Sequence, residues 1–258
     1  MRPEQPGRPE QPERPARSAL ASQQAPPERP QPAGAAVPPP PPEARGIFGE
    51  SLAQAAAYAR LLAGPGVERG LMGPHEVPRL WERHLLNSAV VAGLVPHPSS
   101  VVDLGSGAGL PGIVLAILLP DCQVTLLEPL LRRTVFLQEC VAALGLPNAV
   151  VLRGRAEESA GKLRADVVTA RAVAPLDRLA ALSLGLVRPG GIVLAVKGAR
   201  AHEEVAAARP VLRSLGVREV DVLCAGEGKV DPAATVVRLT APRVRPAKRT
   251  RRPGQDTT

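Results

Sequence analysis

The stretch Val101-Val-Asp-Leu-Gly-Ser-Gly-Ala-Gly-Leu-Pro-Gly112 decides how the rest of this 258-residue chain is read. Ser100–Leu104 is a short apolar run, and Gly105, Gly107 and Gly109 follow it at alternate positions before the apolar segment Leu110–Leu119. A buried strand that ends in such a turn and opens at once into a helix is the first crossover of an open α/β sheet. Ligands bind such sheets beside that crossover, at the carboxyl ends of the strands. Glycine is needed where the backbone takes positive φ and where a ligand approaches the main chain without a Cβ in the way.

Outward from this stretch the same alternation continues. Apolar runs at Ser100–Leu104, Gln123–Leu127, Ala149–Arg153, Asp166–Ala170, Ile192–Val196, Val217–Leu223 and Ala234–Leu239 predict seven strands. Helical patterns lie between them at Leu110–Leu119, Leu131–Leu144, Leu176–Val187 and Glu203–Leu215. Strands apolar on both faces and separated by helices indicate a parallel sheet covered on both sides. Only the turn-rich segment Ala225–Pro232 separates the last two strands, which predicts an antiparallel hairpin at the sheet's end. Upstream, Phe48, Leu52, Ala55, Ala56, Ala59 and Leu62 recur at helical steps and predict a helix stopped by Gly64 and Pro65. A second helix is predicted over Val77–Leu94, with Trp81, Leu85, Ala89 and Ala92 on one face and Pro96 and Pro98 closing it. Residues 46–98 therefore read as a helical cap and residues 99–241 as a Rossmann-like domain.

The two ends have a different composition. Residues 1–45 hold 14 of the 30 prolines and read as a disordered extension, because so little apolar surface cannot offset its ordering entropy. The run Pro38–Pro42 reads as a spacer, with a partner-docking role as the alternative. Residues 242–258 carry six Lys or Arg and one Asp, so much of the chain's net +8 sits in a tail predicted to be disordered, while the body is close to neutral. Such an arm binds nucleic acid through phosphate neutralisation; a solvated tail without a partner is the alternative.

Several classes are excluded. No apolar run approaches the roughly 20 residues of a membrane-spanning helix, and the first residues, MRPEQPGRPEQP, contain no apolar leader. Cys122, Cys140 and Cys224 are widely spaced and form no CxxC pair, so neither a disulfide framework nor a metal site is expected, and a reduced cytoplasmic compartment is. No aromatic residue follows Phe136, which argues against a base-stacking platform in the C-terminal half.

The turn itself separates two cofactors. A dinucleotide fingerprint wants glycine where Leu110 stands, which argues against the alternative of a nicotinamide-dependent oxidoreductase. The spacing Asp-x-Gly-x-Gly-x-Gly is typical of S-adenosylmethionine enzymes, where no pyrophosphate has to be cradled. Asp103 is expected to hold the turn's amides or to reach the methionyl amine through water; simple turn capping is the alternative. Glu128 closes the second strand about 20 residues beyond the turn, where an acid accepts hydrogen bonds from ribose hydroxyls.

Five stretches make a resemblance specific: Glu82-Arg-His-Leu-Leu-Asn-Ser88, Asp103-Leu-Gly-Ser-Gly-Ala-Gly-Leu-Pro-Gly-Ile113, Arg155-Ala-Glu157, Thr169-Ala-Arg-Ala-Val173 and Val196-Lys-Gly198. In that order they resemble the bacterial small-subunit rRNA guanine-N7 methyltransferase family, also called glucose-inhibited division protein B. The resemblance implies a class I S-adenosylmethionine-dependent methyltransferase fold, a Rossmann-like α/β seven-stranded sheet with an N-terminal helical cap. It implies a monomer that transfers methyl from S-adenosylmethionine to N7 of a guanine in the decoding-region hairpin of 16S rRNA, in the small ribosomal subunit. Gly105, Gly107 and Leu110 would line the cofactor pocket, Ala156 and Glu157 would border the adenine, and Arg171 would complete the site.

Three further side chains are candidates for catalysis. Arg171 closes an apolar strand, which costs desolvation unless it meets an anion or acceptors; an ion pair with Glu157 or Glu128 is the structural alternative. Lys197 ends the fifth strand and contacts phosphate or substrate, or else snorkels to solvent. His84 is structural, or with Asn87 and Ser88 supports the cofactor turn from above. After the fourth strand stands Arg171-Ala-Val-Ala-Pro175, in place of the Asn/Asp-Pro-Pro-aromatic motif of many exocyclic-amine methyltransferases. An exocyclic amine must lose a proton on methylation, whereas N7 attacks with a lone pair in the base plane. A non-enzymatic RNA-binding assembly factor that keeps the fold is the remaining reading.

Overall fold

The computed structural model describes residues 37–243. Seven strands, β1 (Ser100–Leu104), β2 (Gln123–Glu128), β3 (Ala149–Arg153), β4 (Ala165–Arg171), β5 (Val187–Lys197), β6 (Glu219–Ala225) and β7 (Ala234–Thr240), form one sheet in the order β3-β2-β1-β4-β5-β7-β6. The first five run parallel, β6 and β7 form the predicted antiparallel hairpin, and β7 lies between β5 and β6. The strand order reverses direction at β1 and β4, which opens a crevice at their carboxyl ends.

Why the sheet is buried on both faces follows from side-chain alternation along each strand. Val101, Leu126, Val167, Leu194 and Val236 belong to one core, and their neighbours Val102, Leu127, Val168, Ala195 and Val237 belong to the other. All ten are at most 2% exposed, and burying a Val or Leu side chain contributes about 1.5–3 kcal/mol before entropy is counted. The first core is shared with the N-terminal helices and with α4 (Gly112–Leu118) and α5 (Leu131–Leu144). The second is shared with α7 (Leu176–Leu184) and α8 (Ala201–Ser214).

The N-terminal helices depart from the expected boundaries. Helix α1 (Pro42–Phe48) starts inside the segment expected to be disordered, because Pro42 is a good first helical residue and Ala44 and Phe48 are buried. Residues 1–36 and 244–258, which hold the rest of the proline-rich extension and nearly all of the basic tail, lie outside the described residues. Gly64 and Pro65 do not stop α2 (Leu52–Leu61): the chain winds on through a wide π-helical turn, Leu62–Gly66. Proline lacks the N–H and crowds the preceding turn of an α-helix, and a wider turn relieves both. The second predicted helix is a continuous run of changing pitch. It passes from 3₁₀ turns (Pro74–Arg79) through a π-helical segment (Leu80–Leu86) into α3 (Asn87–Ala89) and 3₁₀ turns again (Val90–Leu94). Trp81, Leu85, Ala89 and Ala92 are all buried, so the expected face is right. The four-residue α6 (Ala156–Ser159), too short for periodicity to reveal, follows β3.

Candidate functional site at the carboxyl edge of the sheet

The glycine turn is built from its backbone outward. The amides of Gly105 and Ser106 donate to the Leu127 carbonyl at 2.8 and 3.2 Å, which ties the end of β1 to the end of β2. Gly105 has φ +68°, which favours glycine, and a Cβ there would fall 2.9 Å from Val173 Cγ2 on the loop after β4. Glu128, 1% exposed, accepts from the amides of Gly107 (2.9 Å) and Leu130 (3.1 Å), with Arg133 3.7 Å away. The acid expected to meet ribose thus holds the turn and the segment after β2 in register.

Asp103 is equally buried. One carboxyl oxygen accepts from the Gly112 amide at 3.1 Å, while the other, Oδ1, has no partner. Burial pushes its pKa up from 3.8 to about 7, against the opposing influence of the Ser106 hydroxyl and the Gly112 amide. The carboxyl thus accepts from the first amide of α4 rather than from an amide of the Gly105–Gly109 turn, where it was expected to act.

The cap contributes a residue that sequence patterning missed. Tyr58 on α2, fully buried, donates to the Ala108 carbonyl at 2.7 Å and so fixes the crest of the turn. Burial raises its phenol pKa well above 10. It is the chain's one tyrosine, on the apolar face of the first predicted helix, and that placement was the available signal.

Two cavities meet at this edge. The smaller, about 430 Å³, is bordered by Met72, Glu76, Gly105, Gly107, Leu110 and Arg133. The larger, about 1070 Å³, lies over the ends of β4, β5 and β7 and is bordered by Asn87, Val173, Lys197, Arg200, Glu203 and Thr235. Arg83, His84, Arg171 and Ala172 line both and form the wall between them. Ala172 has φ +54°, an uncommon conformation for a residue with a Cβ, and it turns the chain sharply between Arg171 and Val173.

Arg171 does not pair with Glu157 or Glu128. Its guanidinium donates to His84 Nδ1 at 2.5 Å and to the Arg83 carbonyl at 3.3 Å. His84 Nε2 lies 2.7 Å from Glu76 Oε2, and burial followed by the Arg171 charge lowers the imidazole pKa. Lys197 neither snorkels nor stands free: its ammonium donates to Glu204 at 2.7 Å and to the Ala174 carbonyl at 3.0 Å, pinning the loop after β4. Asn87 borders the larger cavity, and the Ser88 hydroxyl is buried without a partner. The fold therefore gathers Gly105, Gly107, Leu110, His84 and Arg171 around one cavity and places Asp103 and Glu128 beneath it. Ala156 and Glu157 open α6 at the end of β3 and line neither cavity. Among the described residues there is no cluster with the makings of a metal site, and no helix is long and apolar enough to cross a membrane.

Comparison with known proteins bears on this geometry. The family model for rRNA small subunit methyltransferase G matches residues 51–231. The ribosomal RNA small subunit methyltransferase G of Thermobifida fusca is 59% identical over 218 residues, covering 82% of this chain and 92% of that protein. Its counterpart in Streptomyces avermitilis is 59% identical over 198 residues, covering 76% and 83%. Among solved structures, the S-adenosylmethionine-dependent methyltransferase SibL in its apo form superposes with a TM-score of 0.50 at 20% identity, covering 78% of this chain and 70% of that one. A cofactor-bound protein from MTB gives 0.50 at 18% identity, covering 75% and 90%. At these identities the two structures speak to the fold, which is the class I methyltransferase architecture.

Proposed function

The chain belongs to the rRNA small subunit methyltransferase G family, and from that membership we propose that it methylates N7 of a guanine in the decoding-region hairpin of 16S rRNA. It is an S-adenosylmethionine-dependent rRNA methyltransferase; hydride transfer and a purely RNA-binding role have no support in the family.

The smaller cavity suits that cofactor. Gly105 and Gly107 offer backbone without Cβ atoms, Leu110 offers an apolar wall, and Arg171 and Arg133 offer cations, while beneath this lining Asp103 keeps a buried carboxyl oxygen without a partner. When bound, S-adenosylmethionine supplies a methyl carbon made electrophilic by a sulfonium centre. Arg171 would hold the methionyl carboxylate, and the Gly105–Gly109 turn with Leu110 would line the nucleoside. Glu128 keeps the amides of Gly107 and Leu130 in place beside it, and Ala156 and Glu157 would border the adenine from the end of β3.

The observation that carries N7 chemistry is how the imidazole at the junction of the cavities and the amine bordering the larger one are spent. His84 has both ring nitrogens engaged, and the Lys197 ammonium is paired with Glu204. Neither is free to remove a proton from an exocyclic amine. N7 needs no such step: its in-plane lone pair carries no proton, so the base would take the methyl group directly and become cationic. The wall of Arg83, His84, Arg171 and Ala172 then acts by alignment, setting the base in the larger cavity at near-attack distance. To test this, the protein is incubated with 16S rRNA or small subunits and labelled cofactor. The expected product is 7-methylguanosine, mapped to the decoding-region hairpin by borohydride–aniline cleavage. Label on an exocyclic amine, or no label with folded protein, overturns the proposal.

A further inference from the structure

Arg171 lies in the wall between the cavities, and among the described residues no carboxylate lies within ion-pairing distance of it. What holds it is an imidazole. A guanidinium has only donors, so the nitrogen it meets at 2.5 Å, His84 Nδ1, must offer a lone pair. The ring is then neutral and carries its proton on Nε2, which donates to Glu76 Oε2 at 2.7 Å. Arg83 and His84 are consecutive residues of the π-helical segment Leu80–Leu86, and the Arg83 carbonyl takes the other arm of the same guanidinium. The carboxylate, imidazole and guanidinium form one line from the cap to the end of β4.

We propose that Glu76 and His84 are positioning residues of the methyl transfer: Glu76 fixes His84 as its Nε2–H tautomer, and the free Nδ1 lone pair aims Arg171 into the junction of the two cavities. This rests on the functional reading above and deepens it. Protonating Nδ1 sets an N–H against the guanidinium, so Arg171 loses its hold and turnover declines in acid. Glu76 faces the ring from the 3₁₀ segment, Arg83 from its own segment and Arg171 from β4; Arg79 acts on Glu76, and Tyr58 on α2 and Asp103 on β1 act on Arg171. Burial, Arg171 and Arg83 disfavour the imidazolium, and Glu76 alone among these groups favours it directly. Asp103 also takes a proton below about pH 7, but it is common to every variant of this line.

The test is the pH dependence of kcat and KM in Glu76→Gln, His84→Asn and His84→Leu, with the imidazole nitrogens followed by 15N NMR. Glu76→Gln keeps an acceptor for Nε2–H and deletes the charge, so its acid limb moves to lower pH. At pH 5.5 it retains several-fold more of its pH 8 rate than the wild type. In His84→Asn the side-chain oxygen stands where Nδ1 stood, so kcat exceeds that of His84→Leu by about tenfold or more and the imidazole limb is lost. An acid limb unmoved or raised in Glu76→Gln, equal kcat in the two His84 variants, or a wild-type spectrum showing Nδ1–H at neutral pH overturns the proposal. Absence of 7-methylguanosine from wild-type reactions would instead sink the functional reading, while the NMR arm still tests the tautomer.

Discussion

Replacing Asp103 with Asn removes an ionisable group from dry surroundings while leaving an oxygen to accept from Gly112. Asp103 is 1% exposed, and its Oδ1 has no partner. Burial lifts its pKa from 3.8 to about 7 in the folded protein. The unfolded chain therefore releases this proton at lower pH than the native one, and between about pH 4 and 7 the native state binds more protons. Stability from this group is complete below the unfolded value and is lost as pH rises through the folded value. Each factor of ten in proton affinity is worth ~1.36 kcal/mol, so ionising Asp103 inside the fold has a ceiling of roughly 4 kcal/mol. Urea unfolding of wild type and Asp103→Asn without cofactor, at pH 4.5 and pH 8, measures it. Relative to wild type, the variant should gain about 2–3 kcal/mol between the two pH values. A relative stability constant to within about 0.5 kcal/mol would refute the reasoning, because the carboxyl would then titrate alike folded and unfolded.

Tyr58→Phe removes the hydrogen bond to Ala108, and should lower unfolding stability by about 1 kcal/mol and weaken S-adenosylmethionine binding several-fold by calorimetry; no change in either would mean the hydroxyl does not brace the turn. Gly105→Ala forces a Cβ to φ +68° against Val173, and should cost at least about 1–2 kcal/mol with at least tenfold weaker cofactor binding. Lys197→Met leaves Glu204 and the Ala174 carbonyl without their cation, and should destabilise by about 1–3 kcal/mol. A double-mutant cycle with Glu204→Gln should show a coupling of about 0.5 kcal/mol or more, and strict additivity would count against the pair.

Read alone, the chain determined the sheet, its hairpin end and the glycine turn, because each rests on local periodicity: two-faced apolar strands four to eight residues long, helices at 3.6-residue steps, and glycines where a Cβ cannot stand. It also singled out Asp103, Glu128, His84, Arg171 and Lys197 as residues of consequence. What each of them touches was decided only by the fold. Tyr58 reaches Ala108 from 50 residues away, and Arg171 reaches His84 across 87. The wide turns that carry the cap past Pro65 and present the Arg83 carbonyl and the His84 ring to Arg171 depend on packing against the sheet, which no local pattern records. Hence charges that look unpaired in sequence, Arg171 and Lys197 above all, find their partners only after distant segments are brought together, since burying a polar group is tolerable only where the tertiary structure supplies an acceptor.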